Sequence, residues 1–149
     1  MAAGNVYLNF DGQGEEAFNF YKSVFGGEFM GGISRFGDMP PHEGASAIAD
    51  EVANQVMHIA LPILGGSILM GSDAPAAFGM PPVVAGNNMH ITLSADSRAE
   101  TDQLFAALSA DGKVTMDMQD TFWGSYFGTC TDRYGVQWMF DYMETSCAE

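Results

Sequence analysis

A run of strand, turn and helix occurs twice in this chain at a near-constant spacing, and that repetition limits the folds open to it. Asn5-Val6-Tyr7-Leu8-Asn9-Phe10 alternates polar and apolar residues, as a half-buried strand does. Asp11-Gly12-Gln13-Gly14 turns the chain. Ala17, Phe18, Tyr21, Val24 and Phe25 then recur at helical spacing from Glu15 to Phe25, and Gly26-Gly27 stops the helix. Farther on, Met89 to Ala95 reads as a strand, and Ser97-Arg98-Ala99-Glu100 has capping-box spacing. Leu104, Phe105 and Leu108 give the next helix its apolar stripe, and Asp111-Gly112 ends it. Phe20, Tyr21 and Val24 match Leu104, Phe105 and Leu108 at an offset of 84, while Asp11 and Asp96 differ by 85. A shared offset over strand, turn and helix argues for a duplicated unit.

The remaining segments complete each copy. Glu28 to Phe36 can form a second strand, and Phe36 to Glu51 is a long loop rich in Gly, Pro and Ala. Val56 to Leu64 and Ser67 to Ser72 read as a hairpin about Gly65-Gly66. Asp73 to Asn88, with Pro75, Pro81 and Pro82, reads as a linker. In the second copy, Lys113 to Met118, Tyr126 to Thr131 and Val136 to Tyr142 are strands, the last two joined by the turn Asp132-Arg133-Tyr134-Gly135. The expected fold is α+β: a single domain of two tandem βαβββ modules, 1–73 and 89–149 joined by a 74–88 linker, whose curved mixed sheets enclose a shared cleft.

Composition excludes several functions. Hydrophobic residues make up 47% of the 149, enough for a packed interior. Nineteen acidic residues against five basic ones give a net charge of −14, which cannot neutralise a phosphate backbone, so no nucleic-acid partner is expected. No stretch has the length of a membrane-spanning helix and no signal peptide is evident, which points to the cytoplasm. Cys130 and Cys147 lack metal-ligand spacing and read as free thiols in a reducing compartment. There is no Walker loop, Rossmann fingerprint or nucleophile elbow.

Strand alternation sorts side chains onto faces. Val6, Leu8 and Phe10 should pack under the first helix, leaving Asn5, Tyr7 and Asn9 opposite. Ile91, Leu93 and Ala95 do the same for the second, leaving His90, Thr92 and Ser94. Trp138, Phe140 and Tyr142 alternate with Gln137, Met139 and Asp141, and Ile68 and Met70 share a face opposite Leu69. The candidate ligand-binding residues are therefore Tyr7, Asn9, Met70, His90, Thr92, Trp123 and Met139. His90 is either a pocket hydrogen-bonder or general base, or a satisfied core histidine. His58 can point to either face of a strand that the flanking Met57, Ile59 and Leu61 mark as buried, and His42 in the long loop reads as exposed. Trp123, in the glycine-flanked Phe122-Trp123-Gly124, either closes over a flat ligand or packs a dimer seam. Met70, Met116, Met118 and Met139 offer an adaptable lining, or ordinary core.

Several of these stretches resemble PhnB-like proteins of the vicinal-oxygen-chelate (glyoxalase/bleomycin-resistance) superfamily. They are Tyr7-Leu8-Asn9-Phe10-Asp11-Gly12, Glu16-Ala17-Phe18-Asn19-Phe20-Tyr21, Val56-Met57-His58-Ile59 and Leu69-Met70-Gly71-Ser72-Asp73. The richest runs from Phe122-Trp123-Gly124 through Tyr126-Phe127-Gly128 to Thr131-Asp132-Arg133-Tyr134-Gly135-Val136-Gln137-Trp138-Met139. The resemblance implies the paired βαβββ fold and a homodimer. Members have carried a ubiquinone-methyltransferase label, but no nucleotide-type cofactor motif stands behind it here.

Metal-dependent relatives hold a divalent ion with one His or Glu on the first and fourth strand of each half. Carried over by position, those ligands fall on Asn5 (or Tyr7), Met70, His90 and Met139. Amide oxygen and thioether sulfur are poor donors for such an ion, so no metal and no other cofactor is expected. The reading is a metal-independent, dimeric binder of a small, partly apolar molecule. The alternative is a divalent-metal lyase, isomerase or dioxygenase in which His90 is joined by Asp38 or Glu43 from the long loop. A third is a structural or regulatory dimer whose pocket is filled by its own side chains.

Overall fold

The structure, a computed structural model, describes residues 2–40 and 48–144. His42 and Glu43 of the long loop, and Cys147, lie outside them. The chain divides into two compact units, Met1–Val84 and Ala85–Glu149.

The first unit is a mixed four-stranded sheet with a helix on one face. Strand β1 (Val6–Phe10) leads into helix α1 (Gly14–Phe25), then β2 (Ser34–Arg35), a short helix α2 (Asp50–Ala53), β3 (Val56–Pro62) and β4 (Ile68–Asp73). The order is β1-β4-β3-β2, with β1 and β4 parallel and the other pairs antiparallel. Ala17, Phe18 and Tyr21 of α1 are fully buried, with Leu69, Ile59 and Leu61 of the sheet also in this core. Phe18 packs edge-on against Phe10 and Tyr21 at 6.1 and 5.6 Å. The helix comes close because β4 has no side chain at Gly71, where a Cβ would stand 2.8 Å from a Phe18 ring carbon.

A carboxylate fixes the start of α1. Gln13 provides no side-chain cap. Instead, Asp73 at the end of β4 accepts from the Gly14 and Val56 amides, each at 2.8 Å. Asp73 is 1% exposed, so both amides are satisfied away from water and a negative charge faces a helix N-terminus.

The second unit repeats the plan: β5 (Ile91–Ser94), α3 (Arg98–Ser109), β6 (Lys113–Asp120), β7 (Ser125–Thr131) and β8 (Gln137–Met143), in the order β5-β8-β7-β6. Again the first and last strands run parallel. The helices α1 and α3 are offset by 84 at both ends, from Gly14 to Arg98 and from Phe25 to Ser109. Ser97 caps α3 as its spacing predicts, its Oγ accepting from the Glu100 amide at 3.1 Å, while the Glu100 carboxylate accepts from the Asp96 amide at 2.9 Å. Leu104, Leu108, Leu93, Cys130, Trp138 and Phe140 form the core, with Phe105 edge-on to Phe140 at 5.3 Å. Buried Asp132 closes the last turn by accepting from the Tyr134 and Val136 amides and from Trp138 Nε1.

Several expected boundaries change: β5 begins at Ile91 rather than Met89, and β6 runs on to Asp120 rather than Met118. The strand expected over Glu28 to Phe36 is reduced to Ser34–Arg35, since Gly31 and Gly32 both take a φ of +73° that a strand cannot hold. The long loop carries a 3-10 turn at Phe36–Asp38 and helix α2. Asp73, read as the start of a linker, ends β4, and a 3-10 turn occupies Ala76–Phe78 beyond it.

Candidate functional site: the helix-free sheet faces

In each unit the sheet face away from its helix gathers the residues that the alternation singles out. In the first, register sets Tyr7 beside Met70 and Asn9 beside Ser72, with Met70 opposite Ala60 and Ser34 opposite His58. Tyr7 and His58 stack at 6.1 Å with their rings 28° apart, spanning β4 between them. His58 is exposed, which settles its face in a strand whose Val56, Ile59, Ala60 and Leu61 are buried. Period two explains this: Met57, Ile59 and Leu61 share one face, so His58 belongs with Ala60 on the other. That signal was in the sequence. Tyr7, Asn9, Met70 and His58 form one surface with two aromatic rings and a thioether.

In the second unit, Thr92 lies beside Met139 and Ser94 beside Asp141, while β7 sets Phe127 opposite Asp141 and Thr129 opposite Met139. The Ser125 hydroxyl donates to the Asp141 carboxylate, and the Thr115 and Thr129 hydroxyls bond at 2.6 Å. Trp123, on the β6–β7 turn, packs edge-on to Phe127 at 6.1 Å and to Phe122 at 5.0 Å. Phe122 is 97% exposed and Trp123 54%, an aromatic pair held outside the core. His90 falls just before β5 and is exposed, so it is not a core histidine. The backbone beside it is tied down by Gln137 Nε2, which donates to the Met89 carbonyl at 2.6 Å. Ser125, Phe127 and Asp141 were missed as site residues because only the β7–β8 register brings residues 16 apart together.

The buried thiol is held protonated by its surroundings. Burial, and then the charge of Asp132, push the Cys130 thiol up to about 12. The Tyr126 hydroxyl, on the helix side of β7, is raised in pKa by its bond to Asp102 at 2.6 Å and then by desolvation. Arg98 lies over the Tyr126 ring at 4.3 Å and ion-pairs with Asp120 and Glu144.

The divalent ion that the resemblance implies does not fit these residues. The parallel strand pairs bring Tyr7 beside Met70 in one unit and Thr92 beside Met139 in the other. Of the carried-over positions Asn5 (or Tyr7), Met70, His90 and Met139, only His90 is an imidazole and none is a carboxylate, which is too few donors for such an ion. The Asn5 side-chain oxygen already accepts from the Ile68 amide at 3.3 Å. Asp38, a candidate to reach in, accepts from the Arg35 amide at 2.9 Å. Among the described residues no three His, Cys, Asp or Glu side chains cluster as a metal site.

The family model of the Glyoxalase/Bleomycin resistance protein/Dioxygenase superfamily matches residues 5–140. The chain belongs to that superfamily. Protein YjdN of Escherichia coli K12 is 31% identical over 140 residues, covering 91% of each chain. The crystal structure of protein PA1353 from Pseudomonas aeruginosa is 36% identical with a TM-score of 0.80, covering 96% of this chain and 98% of that one. The PhnB protein of Bacillus cereus is 26% identical with a TM-score of 0.71, covering 95% and 99%. The glyoxalase-type fold extends to the fosfomycin resistance protein FosX of Listeria monocytogenes, at 8% identity and a TM-score of 0.61 over 97% and 92%. Among the described residues no helix is long and apolar enough to cross a membrane.

Proposed function

We propose that this superfamily member binds a small, partly apolar molecule on its helix-free sheet faces without a metal ion. The observation that carries the reading is that Tyr7 pairs with Met70 and Thr92 with Met139, so that the thioethers of Met70 and Met139 stand at strand positions where metal-dependent relatives hold His or Glu. Aromatic and thioether groups there favour a flat or apolar body, and Asn9, Thr92 and Ser94 add hydrogen-bonding groups for orientation. The net charge of −14 directs the reading to a small molecule rather than a nucleic acid. The superfamily resemblance adds a homodimer in the cytoplasm to the proposal, and sedimentation equilibrium of the purified chain tests the dimer.

The binding test is a thermal-shift screen of aromatic and antibiotic-like compounds. A compound that raises the Tm of the chain, with the rise lost in Tyr7→Ala or Trp123→Ala, supports the reading. A screen in which nothing stabilises the protein sinks it. Metal dependence is tested separately by mass spectrometry after dialysis against Mn, Fe, Ni and Zn. Far less than one ion per chain is expected; near-stoichiometric metal would overturn the metal-free part.

A further inference from the structure

We propose that the helix-free face of β5–β8 takes an organic cation that carries an aromatic ring, with Asp141 holding the charge and Trp123 and Phe127 the ring. This rests on the reading that the face binds a small molecule, and it names the class of that molecule.

Few basic side chains are available to neutralise this face. The sequence has five, and among the described residues four of them are in ion pairs: Lys22 with Glu28, Arg35 with Glu15, Arg98 with Asp120 and Glu144, and Arg133 with Asp111. Lys113 starts β6 opposite Thr131, at the far end from Gln119, which faces Phe127. Among the described residues Asp141 makes no ion pair, and its hydrogen-bond partner is the Ser125 hydroxyl. That hydroxyl is a donor that orients the carboxylate without neutralising it. Ser125 is 2% exposed, so the orienting bond is set within the fold rather than on a mobile surface side chain.

Geometry supplies the second part. Phe127 is the direct cross-strand neighbour of Asp141, and Trp123 stands edge-on to Phe127 at 6.1 Å. Cross-strand side chains on one face are about 5 Å apart, so an aromatic body against these rings places a one-carbon ammonium arm near the carboxylate. The ring faces attract a cation as the carboxylate does. Met139 and Thr92 continue the surface along the strands. A metal ion is a poor occupant, because one carboxylate and one hydroxyl leave most of its coordination unfilled. An anion would meet Asp141 directly, within a chain of net charge −14.

Three ligands with one ring system test this: naphthylmethylammonium, naphthylmethanol and naphthoate, titrated by calorimetry into the full chain at about 0.15 M salt, where long-range attraction is screened. The ammonium should bind roughly tenfold more tightly than the alcohol, from one partly buried charge pair plus a cation–π contact. Naphthoate should give no measurable binding. Asp141→Asn should bring the ammonium down to the level of the alcohol and leave the alcohol unchanged. Asp141→Glu, which keeps the charge, should keep the preference and guards against a folding defect in the amide variant. A preference that survives in Asp141→Asn, or equal binding of ammonium and alcohol in the native chain, overturns the proposal. Equal binding that is lost in Trp123→Ala overturns it while leaving the small-molecule reading intact. No heat from any of the three also overturns it, and the broader reading then stands or falls on its own thermal-shift screen.

Discussion

Two buried groups in this chain show how one residue can organise structure without joining the site. Asp73 accepts from the Gly14 and Val56 amides, tying the first turn of α1 and the start of β3 to the end of β4. Replacing it with Ala leaves two buried amides without partners, and roughly 3 kcal/mol of stability should be lost. Urea denaturation read by circular dichroism checks this; Asp73→Asn should lose less, because its amide oxygen still accepts. Cys130 makes the opposite case. It is fully buried and its thiol is pushed up to about 12, first by desolvation, so it is almost wholly protonated at neutral pH. In a Cys147→Ser background a thiol-specific reagent should leave Cys130 unmodified in native protein and label it completely in denaturant. Rapid labelling of folded protein would contradict the buried position.

At the scale of the element, period and capping were legible where they act locally. Ser97 capped α3 as its spacing predicts, and the Val6-Leu8-Phe10 and Ile91-Leu93 alternations put Tyr7, Asn9 and Thr92 on the exposed side. Less was legible where the outcome depended on backbone sign or pairing. Gly31 and Gly32 ended a strand that composition alone allowed, and α2 is a single turn with no apolar stripe to announce it. Most of the expected site residues lie on helix-free faces, but Ser125 and Asp141 meet only through the β7–β8 register, which no single stretch encodes. The short β2 is tied to α1 through Glu15, whose carboxylate accepts from the two terminal Arg35 guanidinium nitrogens at 2.9 and 3.0 Å. The Arg35 hydrogen bonds hold the Glu15 carboxyl below its usual 4.5. A group with a depressed folded pKa adds stability that is fully present above the unfolded value and is lost as pH falls through the folded one. Glu15→Gln should therefore be less stable than the native chain at pH near 7, and the gap should close under acid. Both side chains are partly exposed, so the gap should be roughly 0.5 kcal/mol or less. Paired thermal melts across pH measure it, and a gap that widened on acidification would reverse the assigned sign.

For the molecule as a whole, charge is the property that local structure does not balance. Nineteen acidic residues face five basic ones, and among the described residues four of those five are already in ion pairs. The surplus acid repels itself more strongly in the folded chain, where the charges are closer together than in the unfolded one. Neutral salt screens that repulsion over a length of about 10 Å at 0.1 M, whereas hydrophobic burial changes little at such concentrations. Raising sodium chloride from about 0.02 to 0.3 M, which shortens the screening length well below the size of either unit, should therefore raise the Tm. The expected rise is about 2–4 °C, the shift that roughly 1 kcal/mol produces in a chain of this length. Individual ion pairs such as Arg35–Glu15 weaken under the same salt and oppose the rise, but each exposed pair contributes only a fraction of a kcal/mol. A Tm that fell with sodium chloride would mean that the paired charges outweigh the surplus. It would also make a long-range field a poor explanation for attraction of cations to the Asp141 face, leaving the short-range contact with Asp141 and the rings to carry any preference.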